Sequence, residues 1–124
     1  LEQTKNVYGM ANNVRIKWLS IDYQSGDKNA LNELIMFASG AYEFRTRINA
    51  MNQLKTFGMV NDNLLNHIFS AIFSWNSRLA GPAADCLNQL ANSTFCRKQI
   101  ADYMKNRNWT EKEKEILKEK NIRF

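Results

Sequence analysis

Three arginines have the residue type and spacing best suited to recognition chemistry: Arg45, Arg47 and Arg78. Arg45 and Arg78 stand 33 residues apart, and each follows an aromatic residue by three positions, Tyr42 and Trp75. A guanidinium is a planar fork of N–H donors that meets a carboxylate through two parallel bonds. Held at or near one phase of a repeating structure, such groups would form a ladder along one surface and receive a peptide carboxylate or an acidic partner. The competing reading is internal: each arginine pairs with an acidic group, or caps carbonyls, in the neighbouring unit. The internal reading demands less of the sequence.

The other reactive side chains offer little. His67 is the single histidine, and it falls where the preceding unit has Leu34, as expected of a half-buried helix residue. One imidazole cannot build a catalytic zinc site, which needs three protein ligands and an open position. Cys86 and Cys96 form neither a CxxC pair nor a metal-ligand spacing. Their count allows a disulfide, but two small buried apolar groups on neighbouring helices is the simpler reading. There is no glycine-rich phosphate loop and no nucleophile-elbow sequence. Glu43 and Asp85 have acid-base side chains, yet no spacing assigns them that work.

The elements that position these residues repeat. Moving Asn29–Gly58 forward by 33 residues matches Leu31 with Leu64, Ile35 with Ile68, Ala38 with Ala71, Arg45 with Arg78, Ala50 with Ala83 and Leu54 with Leu87. Tyr8, Tyr42, Trp75 and Trp109 recur at nearly the same period. Self-similarity on this scale marks a repeat architecture. Helical stripes with spacings of three and four lie inside each unit, at Val14–Ile21, Ala30–Ala38, Thr46–Leu54, Leu64–Phe73, Leu79–Leu87 and, more loosely, Phe95–Met104. In register, Val14, Thr46 and Leu79 align, as do Trp18, Ala50 and Ala83. Ser25–Asn29 and Met59–Asn63 are turn and cap sequences. Thr110 with Glu113 predicts a capping box for a last helix. Pro82 allows two outcomes: a kink if its helix starts near Asn76 or Ser77, or a harmless first-turn position if the helix starts at Gly81.

These patterns predict an all-α fold of about seven helices, in which antiparallel pairs stack as an α-α superhelix and residues 1–124 form a single helical-repeat domain. Few residues precede Tyr8 compared with later units, so the chain is expected to be a fragment that starts inside a repeat. The charged, degenerate last unit suits a terminal cap.

The composition is that of a globular domain, with 44% hydrophobic and 23% charged residues. No apolar run reaches the length of a membrane span, and the opening residues, which include Glu2 and Lys5, do not pattern as a signal peptide. The net charge is +5. Residues 97–124 carry nine Lys or Arg against five Asp or Glu, so most of the surplus lies there. A basic tail could meet nucleic acid or an anionic surface, but TEKEKEILKEK alternates its charges as a solvated helix does.

A basic residue followed by Ala three positions on and Leu four beyond, as in Arg47, Ala50 and Leu54, resembles a HEAT repeat. Trp18 replaces that alanine in the first unit and Ala80 replaces that arginine in the third. More narrowly, YEFRTRINAMNQL (Tyr42–Leu54), FSWNSRLAGPA (Phe73–Ala83) and the Trp109 segment resemble the C-terminal helical domain of aminopeptidase N-like zinc peptidases, over roughly Asn29–Leu117. The resemblance implies a noncatalytic domain that closes over the catalytic domain of the same parent chain and limits access of peptide substrates. The zinc it implies belongs to an HExxH helix, which this sequence lacks, so no cofactor is expected in this chain. The alternatives are a HEAT-type protein-binding scaffold and, ranked last, a HEAT-like nucleic-acid-binding domain.

Overall fold

The computed structural model describes residues 10–122, and among them the backbone is all-helical, with no strand. Seven α-helices follow in order: α1 (Met10–Gln24), α2 (Asn29–Phe37), α3 (Phe44–Leu54), α4 (Asp62–Ile72), α5 (Ser77–Leu90), α6 (Thr94–Lys105) and α7 (Glu111–Glu119), with a 3₁₀ turn at Lys55–Phe57 after α3. Tyr8, the first of the recurring aromatics, lies outside the described residues.

Local chemistry sets the boundaries. The first backbone N–H groups of a helix lack intrahelical acceptors, and a side-chain oxygen just before the helix supplies one. Glu43 Oε1 accepts from Thr46 N at 3.2 Å, Asn61 Oδ1 from Leu64 N at 2.9 Å and Asn76 Oδ1 from Arg78 N at 3.0 Å. Ser93 caps α6 in the same way. Thr110 and Glu113 exchange both bonds of a capping box, at 2.9 and 3.1 Å. At the other ends, Gly58 takes a left-handed conformation (φ 64°) that L side chains adopt only with strain. Asn121, one of the side chains that tolerate that region, does the same after α7, and Ile122 N then donates back to Leu117 O at 2.9 Å.

Pro82 lies inside α5, which starts at Ser77. The chain therefore takes the first of the two outcomes open to the sequence, a proline in the helix body. Having no N–H, Pro82 cannot donate to the carbonyl of Arg78, one turn earlier.

The apolar stripes meet in one core. Helix α1 packs on α2 and α3, α3 on α2 and α5, α5 on α4, and α4 against α6. The matched residues fall together: Leu31 and Leu64, Ile35 and Ile68, Ala38 and Ala71, Ala50 and Ala83, and Leu54 and Leu87 are all buried. The sixth matched pair, Arg45 and Arg78, is exposed on both members. Contacts along α4 and α6 and the segments flanking them advance in step, from Gly58 O with Cys96 Sγ (3.1 Å) through Asn66 with Tyr103 to Phe69 and Phe73 with Trp109. These two helices thus run side by side in the same direction.

One alignment does not carry over into packing. Thr46, Leu79, Ala50 and Ala83 are buried, but their counterparts on α1 are not: Val14 is 58% and Trp18 57% exposed. The face of α1 that enters the core is Ile16, Leu19 and Ser20, with Tyr23 partly buried beside it.

Candidate functional site

Arg45 and Arg47 are two residues apart on α3, about 200° around the helix, so their side chains leave in nearly opposite directions. Arg47 turns inward and is buried. Its Nε donates to Ala38 O at 2.9 Å, at the end of α2, and its Nη2 donates to His67 O at 3.1 Å and to Ser70 Oγ at 2.9 Å, both on α4. One guanidinium thereby fastens α3 to the helices before and after it. Burial, with no carboxylate bonded to it, holds its pKa below the ordinary arginine value. Arg47 thus does not stand on a surface with the other two arginines; its phase on α3 sends it into the core.

Arg45 and Arg78 occupy the second position of α3 and α5 respectively, and both are exposed. A cation in the first turn opposes the helix dipole, whose positive end lies there. Arg45 is partly compensated: its Nη1 lies 3.7 Å from Glu43 Oε2, and its guanidinium sits 4.8 Å from the centre of the Phe44 ring. For Arg78 the structure shows a cap on its backbone N–H but no carboxylate partner among the described residues. Guanidinium, helix dipole and leftover N–H groups all favour an anion at these two places.

The aromatic residues at the same phase behave differently from one another. Tyr42 packs on Phe37 with ring centres 4.8 Å apart. Trp109 lies against Phe69 and Phe73 and donates its Nε1–H to Met104 O at 3.0 Å. Trp75, three residues before Arg78, is 94% exposed.

Sequence reasoning did not find a polar cleft of about 710 Å³ between α4 and α6, lined in part by Asp62, Gln99, Asp102, Tyr103 and Arg107. Tyr103 Oη donates to Asn66 Oδ1, as does Arg107 Nη2, both at 2.6 Å, and the Arg107 guanidinium covers the Tyr103 ring at 4.3 Å. Burial raises the Tyr103 pKa, offset in part by the Arg107 charge. The side-chain oxygen of Gln99 is buried with no hydrogen-bond partner among the described residues. These residues come from α4 and from α6 with the turn after it, more than 30 positions apart, and no local spacing announces them.

His67 is half-buried, and desolvation first, then the charge of Arg47, holds its pKa below the ordinary histidine value. Cys86 and Cys96 are free and buried on α5 and α6. Burial pushes the Cys86 thiol up to about 12. Among the described residues no three His, Cys, Asp or Glu side chains come together to hold a metal ion. No described helix is long and apolar enough to cross a membrane.

No protein family, curated protein or solved structure matches the chain.

Proposed function

We propose that this chain is a noncatalytic helical-repeat domain, an α-α superhelix of the HEAT kind, that works by contact with another polypeptide. The repeat reading draws on the burial of five matched residue pairs one period apart and on the side-chain caps that start both α3 and α5. On the resemblance carried by Tyr42–Leu54, Phe73–Ala83 and Trp109, the partner is the catalytic domain of an aminopeptidase N-like zinc peptidase in the same parent chain. There the domain would close over the active site and limit the access of peptide substrates. The observation that carries the contact role is the exposed pair Arg45 and Arg78, held one period apart at helix N-termini. That placement costs helix stability and favours a carboxylate in front of it.

The test uses the native polypeptide that contains this chain. It should hold stoichiometric zinc and cleave aminoacyl p-nitroanilides. Replacing Arg45 and Arg78 singly with Gln should leave the melting temperature unchanged or slightly higher and raise KM for peptides. A native polypeptide without zinc or turnover would overturn the peptidase reading. Lower melting with normal KM would return both arginines to a structural role.

A second reading, a scaffold for a separate protein, is favoured by Trp75. A tryptophan 94% exposed beside an arginine is the pair of residue types that dominates protein interfaces. Nucleic-acid binding ranks last, since α7 interleaves Glu with Lys. Binding that falls steeply with salt would revive it.

A further inference from the structure

Helix α1 is apolar on two faces. Ile16, Leu19 and Ser20 face the core, and Val14, Trp18 and Ile21 lie on the opposite side at spacings of four and three, 58%, 57% and 41% exposed. Isolated exposed apolar residues are ordinary, but three large ones aligned along a helix form a stripe of the kind that packs on another helix. The repeat alignment points the same way: the counterparts of Val14 and Trp18 on α3 and α5 are buried between helices. The outward face of α1 is thus built like the faces that α3 and α5 bury.

We infer that this face pairs with α1 of a second copy of the chain, the two helices crossing antiparallel with Trp18 at the two-fold axis. The charges beside the stripe suit that occupant. Arg15 and Asp22 lie on the same flank of it, one near each end. In an antiparallel two-fold pairing like flanks meet, so Arg15 of each copy comes opposite Asp22 of the other, twice over. Within its own chain Arg15 already bonds Glu33 twice, at 2.8 and 2.9 Å, so Asp22 of the other copy joins an existing ion pair. Lys17 lies on the other flank, where its long stem can carry the charge out to water. A parallel pairing would set Lys17 against the Arg15–Asp22 flank and lose the doubled contact. The surface is small by the standard of permanent dimers, so the pairing is a reversible equilibrium, with the free chain present at low concentration.

Sedimentation equilibrium of the full 124-residue chain, over roughly 10 to 500 µM, reads this directly. The expected result is a reversible monomer–dimer equilibrium within that range. Trp18→Ser should weaken it at least tenfold with an unchanged circular dichroism spectrum, since the side chain is on the surface. Asp22→Lys should weaken it several-fold, and the matched surface change Asp85→Lys should not. A chain that stays monomeric throughout, or a dimer unaffected by Trp18→Ser or by Asp22→Lys, would overturn the inference.

Discussion

Replacing Arg47 tests how α3 is held to α2 and α4. The guanidinium makes three hydrogen bonds, to Ala38 O, His67 O and Ser70 Oγ. Their loss is unequal. Ser70 Oγ also donates to His67 O at 2.9 Å, so those two groups keep each other as partners when Arg47 is gone. Ala38 O, at the buried end of α2, loses its donor, and an orphaned buried acceptor costs roughly 1–3 kcal/mol. Against this, removing a half-desolvated cation with no carboxylate bonded to it returns part of its burial cost. Arg47→Met, which keeps most of the stem volume, is therefore expected to destabilise by the lower part of that range, about 1–2 kcal/mol. Arg47→Ala also loses the packing of the stem and should cost more. Urea unfolding followed by circular dichroism measures both. A loss within about 0.5 kcal/mol, as at ordinary surface sites, would refute the fastening role.

The remaining predictions follow from burial and charge. His67 titrates below the usual histidine pKa because of desolvation and Arg47. As the single histidine it gives one unambiguous imidazole resonance in tag-free protein, and Arg47→Met should move its pKa upward. Because the folded value is depressed, the unfolded chain takes up the proton first. The His67 contribution is therefore complete above about pH 6.5 and is lost as pH falls from there toward the folded pKa. A stability that rises over this window on acidification would contradict it. Leu54 and Leu87 are 1% and 0% exposed at equivalent places, and truncating either to Ala should cost about 2–5 kcal/mol in urea unfolding. Cys86, buried and with its thiol pushed up to about 12, should react with a disulfide reagent at pH 8 only as fast as the chain opens. Labelling at the rate of a free thiol would show that α5 is not packed as described.

The helices were legible because their signals are local. Asn61, Asn76, Ser93 and Thr110 cap the helices they precede, and a cap needs only a few consecutive residues to be recognised. The core was legible wherever both members of a matched pair are apolar, since a 33-residue shift tests each position twice. Pro82 was not decidable, because a helix starting at Ser77 and one starting at Gly81 leave the same residues on the apolar face. The register of α1 was misleading for a related reason. Val14, Trp18 and Ile21 make as good a stripe as Ile16, Leu19 and Tyr23, and periodicity cannot say which of two apolar faces meets the core. What decides is the rest of the molecule, since α1 has only one side on which α2 and α3 pack.

The candidate site shows the same limit more sharply. Arg45, Arg47 and Arg78 drew notice together, but a helix separates neighbours by angle as well as by distance. Arg47, two positions from Arg45, is carried inside, while Arg78, a whole repeat away, shares its exposure and its place in the first turn. Phase therefore outweighs proximity in deciding which charges can act together. Phase alone is also insufficient, as the aromatics show. Tyr42 and Trp75 stand three residues before these arginines, yet Tyr42 lies on Phe37 and Trp75 is exposed. In the second repeat the residue aligned with Phe37 is Ser70, whose hydroxyl is committed to His67 O and Arg47. Trp75 therefore lacks there the ring that Phe37 gives Tyr42, and the serine in that place bonds Arg47 instead.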